Sequence, residues 1–401
     1  MNEQMTLQLS KTISDFMRWL DSYGETSQDH QDFYASVLGK KVKALYYRRP
    51  ILGTLAVAPM VFCEAFVPKA RTIFYPRSRL PIADAHYAMG FALLFQISQK
   101  EEYYNRAVHF LEVLKSTRCT GYQRFGWGYP FHWQTRRGLI PAGTPLITTT
   151  PYCYEAFEYV YRIDGKREWL DIMHSIAEHT LYDYHDIDFG PDASTCTYTP
   201  SDGEGVINAS AYRSFLLTSA WHEFKDSQYW KIAERNLNFV LKSQQENGSW
   251  KYSIDGERDF IDHFHTCFVL KSLVKIEKLT GHGGCTKAIQ RGTEYYLSNL
   301  FDEGGLPKPF SKAPRLTVYR RELYDCAEAL NLGILLRGRF PKLDSAMEGV
   351  LKDILDNWKR RDGSFRSRRL LMGWDNVPMH RWGQSQMFRS LCFLLNQECK
   401  T

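Results

Sequence analysis

Six stretches rich in small and aromatic residues recur along the chain, beginning near Pro81, Pro145, Ile207, Asp262, Asp325 and His380, at intervals of 55 to 64 residues. A repeat of that length is a supersecondary unit that cannot bury its apolar face alone, so its copies must stack on one another. Between the stretches lie helices with a one-sided apolar stripe: Leu343, Met347, Val350, Leu351, Ile354, Leu355 and Trp358, and again Trp230, Ala233, Leu237, Val240 and Leu241. Similar patterns cover 101–116, 167–183 and 284–300, and the run 52–67 supplies a sixth. A one-sided stripe belongs to an outer helix. The recurring stretches, such as 207–224 and 262–279, carry apolar or small residues on more than one face, as helices packed on both sides do. Six such pairs give an all-α fold, an (α/α)6 toroid of helical hairpins, over 51–401, preceded by a helical arm over 1–50.

Several outer helices end in a glycine turn followed by an aromatic, as in Asn247-Gly-Ser-Trp250, Asp362-Gly-Ser-Phe365 and Gly121-Tyr122. Glycine accepts the left-handed conformation that stops a helix. The inner helices follow long loops at 117–144, 184–206, 245–261, 301–324 and 360–379, which places those loops on one rim, where chemistry is usually mounted.

Composition narrows the classes. A 44% hydrophobic fraction with 24% charged residues suits a large buried core. The net charge of +6 comes without a concentrated basic motif, so no nucleic-acid partner is expected. Nine cysteines lack CxxC or metal-ligand spacing and read as reduced thiols, and the polar start at Met1–Leu20 does not resemble a secretion signal, so the expected location is cytoplasmic. Ile51–Val67 is the most apolar run, but Pro59 and Glu64 interrupt it. No transmembrane span is expected, while the basic flanks leave peripheral membrane contact open.

The rim carries an uneven charge. Loops 117–144, 301–324 and 360–379 hold 4, 5 and 5 Lys/Arg against 0, 3 and 2 Asp/Glu, whereas 184–206 and 245–261 are acidic. A mouth with one basic and one acidic side can hold an anion, and the same charges can equally be solvated loop residues. Two clusters combine rings with planar donors: Trp127-Gly-Tyr129-Pro-Phe-His132-Trp133-Gln134-Thr-Arg136, and Gly373-Trp374-Asp375 with His380-Arg381-Trp382. Stacking faces alternating with guanidinium and amide groups suit sugars, and also suit loop packing. Asp262-His-Phe-His265-Thr opens an inner helix, with Asp262 as its cap and a histidine toward the lumen; with no third ligand at suitable spacing, neither metal nor other cofactor is expected. Tyr198, Asn208, Tyr212, Glu322, Asp325 and Gln384 sit at corresponding inner-helix starts.

The strings Gly128-Tyr-Pro-Phe-His-Trp-Gln-Thr-Arg136, Gly143-Thr-Pro145, Tyr198-Thr-Pro200, Asn208-Ala209 and Asp262-His-Phe-His-Thr266, in that order, resemble the VpsJ-like family of bacterial polysaccharide-biosynthesis proteins over about residues 80 to 395. The resemblance implies a six-hairpin toroid of the superfamily that includes uronate C5-epimerases, polysaccharide lyases and glucuronyl hydrolases. The recurring elements carried over are Tyr129, Trp133, Gln134, Arg136, Tyr198, Asn208, Asp262, His265, Arg381 and Gln384. One position departs: the family pattern has an acid where this chain has His132.

Together these observations predict a carbohydrate-active protein of polysaccharide biosynthesis whose partner is an anionic oligo- or polysaccharide, free or lipid-linked. In the leading reading it epimerises or eliminates at C5 of a uronate. Arg136 and Arg381 neutralise the carboxylate, His265 and Tyr198 exchange the proton, and Trp133 and Trp374 stack the rings. Alternatives are a glycoside hydrolase with paired carboxylates drawn from Asp262, Glu322, Asp325 and Asp375, or a non-catalytic glycan-binding assembly factor, to which His132 points.

Overall fold

The computed structural model describes residues 3–203, 205–314 and 317–400. Six inner helices, Pro81–Ser98, Thr150–Asp164, Ile207–Phe224, His263–Thr280, Leu323–Leu335 and Ser385–Glu398, form the lumen wall. Each packs on the next and the last returns to the first, which closes the ring. Their crowding shows in the burial: every residue from Ala83 to Leu94 and from Ile207 to Ala220 is buried. The outer helices Glu101–Ser116, Arg167–Tyr182, Ser227–Lys242, Gly283–Asn299 and Pro341–Asp353 bury one stripe each, and a wide turn, Ile354–Trp358, extends the last. The neighbours agree with the one-face and two-face patterns read from the sequence. The second inner helix starts at Thr150 rather than at Pro145, because Pro145 first bridges back to Gly128 in an extended segment.

The sixth outer position is filled by Glu3–Tyr23, not by 52–67. Its stripe of Leu9, Ile13, Phe16, Trp19 and Leu20 lies in the main core, with Phe16 stacked on Phe388 at 5.3 Å and on Phe365 at 5.6 Å. Internal symmetry says the same. Gly248, with φ +90°, follows the outer helix 227–242, and a β-carbon there would come within 2.3 Å of the Arg291 carbonyl oxygen on the next outer helix. Gly363, with φ +95°, occupies the equivalent place, and its β-carbon would meet the Asp15 carbonyl oxygen at the same 2.3 Å. Helix 3–23 therefore stands to the fifth hairpin as 283–299 stands to the third. The apolar run went elsewhere: Val37–Arg48 and Pro50–Phe66 form a helical hairpin at the rim, where Val37–Arg48 packs on the Trp133–Gln134 strand and Glu64 pairs with Arg368.

Short antiparallel pairs stiffen the rim loops. Trp133–Gln134 pairs with Leu139–Ile140, Asp186–Asp188 with Ser194–Cys196, and Ile261–Asp262 with Phe310–Lys312. Tyr319–Glu322, Arg368–Leu370 and Trp374–Asp375 make a three-stranded sheet.

Candidate functional site

At the loop end of the ring a pocket opens whose empty space, its open mouth included, is about 770 Å³, lined mainly by rings: Tyr129, Trp133, Tyr152, Tyr198, Tyr212, Tyr252, Phe264, Phe268, Tyr324 and Trp382. Its polar lining is His30, Gln31, Thr148, Thr149, Asn208, His265, Arg381 and Gln386. Among the described residues no Asp or Glu lines it.

His265 is placed by its own helix cap. The Asp262 carboxylate accepts from the His265 backbone N–H at 2.8 Å and lies 2.5 Å from its ring Nδ1. A carboxylate only accepts, so a ring proton is on Nδ1, and in the neutral tautomer Nε2 is the nitrogen with the lone pair. Tyr252 packs edge-on at 4.7 Å and Phe264 at 4.4 Å, which fixes the ring plane. His263 turns the other way and is locked in the core between Tyr296 Oη at 2.8 Å and the Leu300 carbonyl at 3.2 Å. The HxH pair is thus divided between core and lumen, and among the described residues no group of three His, Cys, Asp or Glu could hold a metal.

A second imidazole comes from the loop after the first helix. His30 packs on Trp382 with ring centroids 4.1 Å apart and planes tilted by 31°, and its Nδ1 is 3.3 Å from Asp29 Oδ1 and 3.1 Å from an Arg381 nitrogen. Burial drives its pKa down to about 4, so the ring is neutral. Arg381 grips Asp29 with two donors, Nε to Oδ2 at 2.8 Å and Nη2 to Oδ1 at 2.6 Å. Burial alone would raise the Asp29 carboxyl, yet the Arg381 charge holds it well below the usual range. The remaining Arg381 nitrogen, Nη1, donates to Tyr129 Oη at 3.1 Å. Arg381 and Trp382 reach the pocket because the backbone leaves helical geometry at Trp382 and Gly383, with φ +139° at the glycine.

Among the described residues three side chains in the wall carry buried polar atoms without protein partners, one of them Trp133 at Nε1. Asn208 Oδ1 and both amide atoms of Gln386 are buried without a hydrogen bond among the described residues, although both side chains line the pocket. Thr148 Oγ1 and Tyr198 Oη are 3.1 Å apart, and Tyr152 and Tyr212 share a 2.7 Å hydroxyl contact. Below Tyr152 lies Lys271, paired with Glu328.

Of the residues expected from the sequence, Tyr129, Trp133, Tyr198, Asn208, His265 and Arg381 converge here, and Asp262 stands directly behind. The others lie elsewhere. Arg136 is 56% exposed and pairs with Glu257 at 3.1 Å, and Lys312 pairs with Asp259. The basic and acidic rim loops thus bind each other. His132 is exposed and accepts from the Ala142 N–H at 3.1 Å, and Gln134 donates to the neighbouring Thr135 carbonyl. Trp374 packs against Trp358 at 5.1 Å beneath Arg366 and Arg369, away from the pocket. Gln384 joins Phe365, accepting from its N–H at 3.1 Å and donating to its carbonyl at 2.7 Å.

The carboxylates are also committed. Glu322 faces Arg368 at 2.6 Å and accepts from Trp382 Nε1 at 2.9 Å, and Asp375 pairs with Arg71 at 2.7 Å with both side chains fully buried. Asp325 is buried with neither oxygen bonded among the described residues, and burial together with Glu322, Asp262 and Glu328 raises its pKa well above the usual carboxylate value. His30, Asp29, Tyr152 and Gln386 had no motif to reveal them; His30 and Asp29 fall in the segment read as an arm.

Neither a protein-family model nor a curated protein sequence matches the chain. Solved structures match its shape. A cellobiose 2-epimerase from Bacillus thermoamylovorans superposes with a TM-score of 0.62 at 12% identity, over 80% of this chain and 88% of that one. An unsaturated glucuronyl hydrolase specific for heparin gives 0.65 at 10% identity, over 100% and 98%. The unsaturated glucuronyl hydrolase from Bacillus sp. GL1 gives 0.60 at 12% identity, over 96% of each chain. The chain is an (α/α)6 toroid. Its neighbours in shape are carbohydrate-processing enzymes, and at these identities the likeness is one of fold.

Proposed function

We propose that the protein is a sugar-processing enzyme that moves a proton at a carbon of a sugar held in the aromatic pocket, with His265 as the base and Asp262 orienting it. The observation that carries this reading is the lining itself: two imidazoles, each beside a buried aspartate, and no carboxylate among the described residues. Stacked rings bind the faces of a sugar, and the unpartnered Asn208 Oδ1 and Gln386 amide supply hydrogen bonds for its hydroxyls. Removing a proton beside a carbonyl needs a base with a free lone pair and a donor for the enolate oxygen. His265 Nε2 is the first, and the Arg381 Nη1 edge with Tyr129 Oη is the second. His30, on a different element, is neutral in the free protein and is the candidate to return a proton to the carbon once it has taken one up from solvent.

Epimerisation fits better than hydrolysis, because Glu322 and Asp375 are engaged in ion pairs, Asp325 is buried outside the pocket lining and Asp262 is used up behind His265. The substrate favoured is a sugar that offers a carbonyl, as an opened aldose does. A uronate carboxylate would need an unmatched cation, and Arg381 is already matched by Asp29. The name of the cellobiose 2-epimerase neighbour is consistent with this chemistry. A role in bacterial polysaccharide assembly rests on the motif resemblance. The test is an NMR time course with cellobiose, other aldoses and uronate disaccharides: a new epimer supports the proposal, whereas new reducing ends or an unsaturated product without epimer would refute it.

A further inference from the structure

The hairpin of Val37–Arg48 and Pro50–Phe66 inverts the usual rule for a helix on a protein surface. Of the sixteen large hydrophobic side chains exposed among the described residues, nine lie between 37 and 73. Ile51, Leu55, Phe62 and Phe66 share one face of the second helix and are 82%, 69%, 58% and 52% exposed, and Ile73 beyond it is 85% exposed. The single acid of this helix, Glu64, turns inward to Arg368 at 2.6 Å. From Val37 to Phe74 the chain has seven Lys/Arg and one acid, a net +6 that equals the formal charge of all 401 residues.

The hairpin is preformed. At Gly53 a β-carbon would lie 2.1 Å from Tyr46 Cα, so only glycine lets the two helices approach this closely. Glu64–Arg368 and Arg71–Asp375, at 2.6 and 2.7 Å, tie it to the rim sheet, and Arg368 in turn holds Glu322, which accepts from Trp382 in the pocket wall. Among the described residues no single helix is long and apolar enough to cross a membrane, and Pro68–Phe74 bends 116° from Pro50–Phe66. An apolar face rimmed by cations, on a helix too short to span, has the chemistry of an interfacial element.

We propose that this hairpin docks the protein on an anionic bilayer surface. Ile51, Leu55, Phe62 and Phe66 enter the boundary between headgroups and acyl chains, while Lys41, Arg48, Arg49 and Lys69, all exposed, meet lipid phosphates. A second copy of the chain is the poorer occupant, because a two-fold interface would bring the two +6 segments together. The proposal does not depend on which reaction the pocket performs.

The experiment is vesicle flotation of the full chain. The protein is expected to float with phosphatidylglycerol–phosphatidylcholine vesicles and to bind pure phosphatidylcholine at least tenfold less. The combined variant Ile51→Ser, Leu55→Ser, Phe62→Ser should lose binding at least tenfold with an unchanged melting temperature, since these side chains are exposed. Lys41→Gln with Arg48→Gln and Arg49→Gln should abolish the preference for anionic lipid. Failure of the parent protein to float with either vesicle overturns the proposal. So does a dimer that the serine substitutions dissociate while vesicle binding is unaffected.

Discussion

Asp262 both caps the helix that begins at His263 and holds the His265 ring, with its Oδ2 2.5 Å from Nδ1. One carboxylate thereby sets the backbone and the tautomer of the proposed base. Asp262→Asn keeps a competent cap, because asparagine serves that position as well as aspartate, but removes the charge facing Nδ1. Proton exchange on substrate should fall by about 10²-fold, within the range such orienting partners contribute, while the melting temperature stays nearly level. Nitrogen NMR of the imidazole should show the Nδ1–H form in the parent and a mixture in the variant. An unchanged tautomer would contradict the role assigned to Asp262.

The two arginines singled out by the sequence should now behave differently. Arg381→Lys loses the two-donor fork on buried Asp29, and breaking such a pair costs about 3 kcal/mol of stability. The loss should be insensitive to salt because the pair is buried. Arg136→Lys alters an exposed pair with Glu257 and should change stability by less than about 0.5 kcal/mol. Chemical denaturation of both variants at low and high salt checks the contrast.

Gln384 closes the turn at Phe365 through both of its amide atoms. Gln384→Ala leaves the buried Phe365 N–H and carbonyl without partners, at a cost of about 2 kcal/mol. Denaturation should show that loss, with sugar binding per folded molecule retained.

Asp32 is buried beside Asp29, and burial with that neighbouring charge pushes its pKa up to about 8. A raised carboxyl binds its proton more tightly when folded, so its contribution is full below the unfolded value near 4 and is lost as pH rises toward 8. Asp32→Asn imitates the neutral acid and removes that loss. Its stability relative to the parent should climb between pH 5 and 8, by about 1.4 kcal/mol per pH unit at most. A constant difference across that range would show that Asp32 does not titrate there.

The ring was legible because its helices differ in how many faces they bury, a property written in every turn of 207–224 against 227–242. Helix 3–23 was misread because the longest apolar run, 51–67, competes for the sixth place, and only packing shows that run facing solvent. In the pocket, Tyr129, Trp133 and His265 stood in recognisable strings. Their neighbours were hidden for physical reasons. Tyr152 and Gln386 are lumenal positions on inner helices, which look like core, and His30 reaches the pocket only by folding back from a loop in the first 50 residues. Charge misled most. Arg136 and Glu257 lie 121 residues apart in sequence, so their pairing across the rim could not be read from loop composition.

The central claim, that imidazoles in this pocket move a proton on a sugar carbon, is tested most directly by turnover in deuterated water with the sugar followed by NMR. The parent protein should place a single deuterium at the carbon beside the carbonyl of the epimerised product, His265→Asn should stop that exchange, and His30→Gln should stop or unbalance it. Exchange that survives His265→Asn at the parent rate, or epimerisation without deuterium uptake, would contradict the account.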